Sequence, residues 1–399
     1  MSLISFLRSS LRRYGMKPSS RAASGGLKLV IEELDHRILL SSYVSTSGLD
    51  SNPGTLAEPF RTLNKAVSVL QPGDTLYIRG GTYVENLNNN IPGGTSWSNP
   101  VTIAAYPGET VIVQAASSGV GVVYLAAASR SYIILDGLIL DAAKTATNVV
   151  KITAGSTTGA SNHIRIQNSE IRNAVHQGIL ITQPGADYNE FINLKIHDNG
   201  SSVLDHGMYF EDNHNLVDDC DVYSNYGYGI QIYKWIGVNG QDASYNTVRN
   251  SKFHDNGKSG IGLFVGDGNV AYNNITWNNG EAGINVDYGA SHTEVYNNTI
   301  YHNSNNGIEI DSTSTGAVIE NNILYQNGWL AIWNLGSGTV ADHNLTTDPG
   351  FVNAAAGDFH LTTGSAAIDA GITISLVTTD YDGVIRPQNG AYDIGAFEY

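Results

Sequence analysis

The sequence predicts an all-β solenoid, a single-stranded parallel β-helix, and three observations carry that prediction. The first is a repeated phrase, Gly-Ile-x-Ile or a close variant. It stands at Gly178-Ile179-Leu180-Ile181, Gly207-Met208-Tyr209-Phe210, Gly229-Ile230-Gln231-Ile232, Gly260-Ile261-Gly262-Leu263, Gly283-Ile284-Asn285-Val286 and Gly307-Ile308-Glu309-Ile310, with a degenerate copy at Ala331-Ile332-Trp333-Asn334. The second is its spacing of 29, 22, 31, 23 and 24 residues from glycine to glycine. The third is an Asn-rich turn between copies, each with an aromatic or histidine: His197-Asp198-Asn199, Tyr223-Ser224-Asn225, His254-Asp255-Asn256, Trp277-Asn278-Asn279, Tyr301-His302-Asn303 and Tyr325-Gln326-Asn327. A period in the low twenties made of short alternating strands and Asn/Gly turns is a solenoid signature. Leucine-rich repeats share the period but need Leu-x-x-Leu-x-Leu, which is absent.

One coil is too short to bury a core, so coils must stack and equivalent residues form columns about 4.8 Å apart. Alternation sends the two aliphatics of each phrase inward and the x positions outward. The turn asparagines are expected to stack as well, amide to amide.

Along the chain, residues 1–42 carry seven Lys/Arg and three Asp/Glu, net +4, which leaves −20 on the remainder of a 399-residue chain of net charge −16. The basic, Ser-rich start reads as a leader, disordered or removed, with a short amphipathic turn. The acidic body argues against a nucleic-acid partner, and no apolar run reaches membrane-spanning length. Lone Cys220 excludes an internal disulfide. The folded part opens at Tyr43. Leu63, Ala66, Val67 and Leu70 have the spacing of a short amphipathic helix, ended by Pro72-Gly73, that would cap the first coil. Early coils follow, the β-helix runs over residues 43–347, and residues 348–399 form a closing module.

Two stretches add a resemblance. Asn52-Pro53-Gly54-Thr55, Pro72-Gly73-Asp74-Thr75-Leu76-Tyr77 and Arg79-Gly80-Gly81-Thr82-Tyr83 look like the opening module of bacterial right-handed parallel β-helix exoproteins, a superfamily with many polysaccharide lyases and epimerases. Asp348-Pro349-Gly350-Phe351, Gly364-Ser365-Ala366-Ala367-Ile368-Asp369 and Asp393-Ile394-Gly395-Ala396-Phe397-Glu398-Tyr399 resemble a C-terminal module of the same secreted surface proteins, and residues 30–42 resemble a sorting segment. The resemblance implies right-handedness, secretion or cell-surface location, and a polysaccharide partner. It names no chemistry, because the superfamily also holds hydrolases and adhesins.

Chemistry is expected on the outward columns. The first reads Leu180, Tyr209, Gln231, Gly262, Asn285, Glu309, Trp333, and the second Thr182, Glu211, Tyr233, Phe264, Asp287, Asp311, Leu335. Aromatic faces beside hydrogen-bonding groups suit sugar rings, and a groove along the solenoid suits a linear polymer. A β-eliminating lyase needs a base for the proton α to a uronate carboxylate, an acid for the leaving oxygen and a cation for that carboxylate. His206, Tyr209, Glu211, Tyr233 and Lys234 are the catalytic candidates. Gln231, His254, Lys258, Trp277, Asn285 and Tyr301 are substrate-binding candidates, and the loop from Trp235 to Asn246 is a candidate groove wall. Asp287, Glu309 and Asp311 are spaced either for a Ca²⁺ site, which would bridge an acidic protein to an acidic glycan, or for a glycosidase pair. Neither an Asp-Pro-His of the alginate-epimerase type nor a paired Asp-Asp-Gly of the calcium-dependent pectate-lyase type is present. The leading expectation is therefore a monomeric, secreted lyase of a uronic-acid polymer. A C5-epimerase, a glycoside hydrolase and a non-catalytic glycan-binding protein remain open beside it.

Overall fold

A computed structural model describes residues 41–234 and 243–399. Residues 1–40 of the expected leader and residues 235–242 of the expected groove wall lie outside the described residues, while Ser41 and Ser42, assigned to the leader, form a strand with Tyr43 and Val44 that pairs with Thr75–Ile78.

Each coil contributes three short strands separated by turns. The third strand of each coil, the Gly-Ile-x-Ile strand, joins a ten-stranded sheet running from Leu87–Asn88 to Ile332–Asn334. The first and second strands make a 20-stranded sheet that turns a corner between two ladders. One ladder contains Leu216–Asp218, Thr247–Arg249 and Val270–Tyr272, and the other contains Asp221–Tyr223, Lys252–His254 and Ile275–Trp277. Strands Ile164–Arg172 and Glu190–His197 are long enough to run through the corner and pair in both ladders. All of these rungs are parallel. Below, the three ladders are the first, second and third faces.

The repeated glycine has a steric cause. A Cβ on Gly207 would lie 2.6 Å from the Gly229 carbonyl oxygen, and one on Gly229 would lie 2.6 Å from that of Gly260. The chain approaches the next rung too closely for any side chain there. The aliphatics that follow fill the bore: Ile179, Ile181, Met208, Phe210, Ile230, Ile232, Ile261, Leu263, Ile284, Val286, Ile308 and Ile310 are all fully buried.

The asparagines hold the corners. Asn199, Asn225, Asn256, Asn279, Asn303 and Asn327 form one ladder, each Nδ2 donating to the next Oδ1 at 2.9–3.1 Å. A second ladder runs Asn189, Asn215, Asn246, Asn269, and a third Asn274, Asn298, Asn322, Asn344. These amides also take up backbone N–H and C=O groups that the turns leave unpaired, as Asn256 does with Asn225 N and Val222 O. A buried turn is tolerable only with such partners.

The helix expected over 63–70 is confined to Leu63–Val67, with Thr62 as N-cap and Leu63, Ala66 and Val67 buried. At the other end, the segment after the last coil lies along the side of the solenoid. Its Phe359, Ala396 and Phe397 pack on Ile275, Trp277 and Tyr301, while Ile374, Val377 and Tyr392 pack on Tyr272 and Tyr296. Asn273, Asn297 and Asn321 donate to its carbonyls, and a fully buried Arg386–Glu398 pair at 2.6 Å fastens its own ends. The last rung stays uncovered, with Val340–Asp342 exposed throughout.

Candidate active site

The two outward columns of the third face keep the register that the repeat predicts. Leu180, Tyr209, Gln231, Gly262, Asn285, Glu309 and Trp333 are successive partners, and Phe264 pairs with Asp287. On this face a cleft of about 380 Å³ opens, lined by Gln177, Leu204, His206, Tyr209, Gln231, Tyr233 and Tyr288. Beside it lies Gly262. With no side chain there, the Phe264 ring lies flat over the strand, about 3.0 Å from where a Cβ would be, and is itself buried. Tyr233 and Tyr288 stand edge-on to that ring and to each other, at centroid distances of 5.3–6.3 Å.

His206 is 2% exposed. Its Nδ1 accepts the Tyr228 N–H at 3.0 Å, so Nε2 carries the proton and faces Gln231. Burial pushes its pKa down to about 4. The ring is therefore neutral, with Nδ1 already engaged and Nε2 the nitrogen that can donate. Gly227 makes this seat possible, because a Cβ there would meet His206 Nδ1 at 2.4 Å.

Tyr209 stacks near His206 at 5.7 Å and is hydrogen-bonded to Glu211, the next outward residue of its strand. Burial, then the charge of Glu211, raises its pKa, so the phenol stays protonated. Tyr209 and Glu211 together form a proton donor beside a carboxylate. Lys234 follows Tyr233 at the end of the same coil's strand and lines the surface next to Val265 and Asp267.

Beyond the cleft the face turns acidic. Asp287 is pushed up to about 7, mainly by burial and further by Glu309 and Asp311, against the Asn285 amide that donates to it at 3.2 Å. Its Oδ1 and the Asn285 Oδ1 are buried without partners. Asp311 behaves oppositely. Burial would raise it, but Thr313, Ser314 and the Tyr288 N–H bond its oxygens and hold it below the usual range. Glu309 accepts from Asn306 at 3.1 Å. Asp311 is thus consumed by its own turn. Among the described residues no three His, Cys, Asp or Glu side chains are grouped to hold a metal. Asp287, Glu309 and Asp311, the expected calcium set, are not brought together as such a group.

Comparison with known proteins agrees with this architecture. Residues 42–229 match the family described as Pel9A-like, right handed beta helix region, and residues 234–347 match the family described as right handed beta helix region. Both matches are to right-handed β-helix regions, in keeping with the parallel β-helix fold. The β-helix is similar to pectate lyase PEL9 of Emericella nidulans, 39% identical over 71 residues, 18% of this chain and 17% of that protein. The chain covers less than a third of the length of the curated relatives it matches. Among solved structures it resembles pectate lyase Pel9A, with TM-score 0.68, 17% identity, and 90% of this chain and 96% of that one covered. It also resembles the A-module of the mannuronan C-5 epimerase AlgE6 of Azotobacter vinelandii, with TM-score 0.50, 15% identity, and coverage of 69% and 91%. At these identities the structural likeness is one of fold.

The β-helix distributes the remaining candidates elsewhere. His254, Trp277 and Tyr301 belong to the second face, not to the cleft. His254 is sandwiched between Tyr223 and Trp277 at 5.1 and 4.1 Å, and Trp277 and Tyr301 are covered by Phe359. Lys258 pairs with Glu281 at 2.5 Å and lies 5.7 Å from the Tyr228 ring. Sequence reading missed Gln177, Leu204, Tyr228, Phe264 and Tyr288 as parts of the site. The one signal for any of them was Gly262 in an outward column, since a missing side chain there invites a neighbour, here Phe264, to fold over it.

Proposed function

We propose that this β-helix protein acts outside the cell, as a monomer, on a uronate-containing polysaccharide, and that it cleaves by β-elimination in the cleft of the third face. The observation that carries the reading is the protonated Tyr209 phenol bonded to Glu211 at the edge of a sugar-sized, aromatic-walled cleft. The similarity to a pectate lyase supports it. In this scheme the Glu211 carboxylate takes the proton α to the substrate carboxylate. The bond to the leaving glycosidic oxygen breaks, a carbon–carbon double bond forms, and Tyr209 delivers its proton to that oxygen. The proton on Glu211 then returns to Tyr209 through their hydrogen bond, so the pair ends as it began. Lys234 supplies positive charge for the uronate carboxylate, and the His206–Gln231 pair lines the opposite wall as fixed neutral dipoles. A C5-epimerase would share the first proton transfer and return the proton to the other side of the sugar.

The test is ultraviolet absorbance of unsaturated uronate while the full chain meets a panel of uronic-acid polymers, with and without calcium. The expected result is a rise that Tyr209→Phe and Glu211→Gln abolish without loss of fold. A flat trace with no new reducing ends on any polymer would contradict cleavage. One observation favours a second reading, hydrolysis. Asp287 holds its proton to about pH 7 next to Glu309, as a glycosidase acid would. New reducing ends without the chromophore, lost in Asp287→Asn, would identify that reaction.

A further inference from the structure

The first outward column does not stop at the acidic rungs. It continues through Glu309 to Trp333 on the last rung, and Trp333 pairs with Trp329 at a centroid distance of 6.2 Å and an angle of 35°. Trp329 is 63% exposed. The C-terminal segment packs on the first and second faces and leaves this end of the third face open. The largely exposed Trp329, with the partly buried Trp333 beside it on the last rung, needs an explanation, because such apolar surface is unfavourable unless it meets a ligand.

We propose that the third face between the cleft and Trp333 is a track for neutral sugar units of a linear heteroglycan, and that Trp329 and Trp333 form its distal stacking platform. This rests on the reading of the cleft as a polysaccharide site and specifies what the rest of the chain in that site must be. Three features converge on it. From Tyr209 to Trp333 the register advances five rungs, about 24 Å at the strand spacing. A pyranose unit in an extended glycan advances by roughly one rung, so a polymer lying along the column reaches the indoles after about five units. The rungs between carry Asp287, Glu309 and Asp311, with no Lys or Arg on their strands, while Glu281 at the preceding turn is taken up by Lys258. Consecutive uronates would meet like charge from Glu309 and Asp311 there, whereas neutral sugars bring no charge and can donate hydroxyls to Glu309. The indole faces then accept the apolar C–H face of a sugar ring. The substrate class is a polymer in which uronates are separated by neutral sugars.

The experiment is calorimetric binding to the full chain of two oligosaccharides of about eight units, one all uronate and one with uronate and neutral sugar alternating. The wild type should bind the alternating oligomer about tenfold more tightly, Trp333→Ala and Trp329→Ala should each lose about tenfold on it, and Trp333→Tyr should restore most of the loss. Glu309→Gln should narrow the gap between the two ligands. Wild-type affinity for the alternating oligomer in both Trp→Ala variants, with unchanged thermal melting, overturns the track. So does tighter binding of the all-uronate oligomer by the wild type. Binding requires no turnover, which separates the two claims. A protein that binds in this pattern but converts nothing contradicts the proposed reaction alone. An active protein whose KM ratio between long and short alternating chains is the same in the Trp→Ala variants contradicts the track alone.

Discussion

The second and third faces both carry aromatic side chains on their outward surfaces, yet they arrange them differently. On the second face His197, Tyr223, His254 and Trp277 stack nearly parallel, 7–12° apart with centroids at 4.1–5.1 Å, and Phe359 closes the stack. Each ring face is spent on the next ring, so none remains for a sugar. On the third face Tyr209, Tyr233 and Tyr288 meet at 57–71°. Gly262 interrupts the column, Phe264 fills the gap sideways, and the remaining rings stand apart around a void. What distinguishes a binding wall from a structural ladder is the interruption, not the aromatic content.

Substitutions at matched positions break or sharpen that contrast, and the largest effect expected is on turnover. Tyr209→Phe should reduce kcat by at least about 100-fold, the usual worth of a positioned proton donor. Tyr223→Phe, one hydroxyl lost from the stacked face, should leave steady-state kinetics as in the wild type. Equal losses at both would erase the distinction.

The next effect is acid stability, where two histidines should act with opposite sign. His206 is neutral in the fold, with its pKa at about 4 against an ordinary 6.5. A group depressed in this way contributes stability above pH 6.5 that is lost as pH falls toward 4, about 3 kcal/mol in all. The melting-temperature advantage of wild type over His206→Gln should therefore shrink between pH 7 and pH 4. His254 is the reverse case. Burial would lower its pKa, but Asp221 and Asp255, at 3.1 and 2.6 Å, raise it. Its contribution, about 1 kcal/mol, is complete below pH 6.5 and lost as pH rises through the raised value. The cost of His254→Gln should be greatest near pH 5 and smallest above pH 8. Parallel pH profiles for the two variants would contradict the assigned surroundings.

The smallest effect concerns the rim. Tyr288→Ala removes a half-exposed wall and should raise KM a few-fold, about 1 kcal/mol, with kcat less affected.

Much of this architecture was legible in the sequence, because a solenoid repeats its instructions. The glycine spacing gave the register of both outward columns across the uneven 29- and 31-residue coils, and the turn asparagines became the ladders they suggest. Three things were not legible. Which face a turn aromatic joins depends on where the corner falls, and that placed His254, Trp277 and Tyr301 away from the cleft. The C-terminal segment folds back over residues about a hundred positions earlier, as Ala396 N does on Thr299 Oγ1 at 3.0 Å, and no local pattern announces such a contact. The tautomer of His206 is set by one backbone N–H, that of Tyr228, which a list of side chains cannot reveal.

The most direct test of the central claim is the crystal structure of the full-length Tyr209→Phe protein soaked with a uronate-containing oligosaccharide. The account predicts sugar rings seated among His206, Gln231, Tyr233 and Tyr288, with a carboxylate toward Lys234. Sugar bound instead over the His197–Tyr223–His254 stack, with the third face empty, would contradict it.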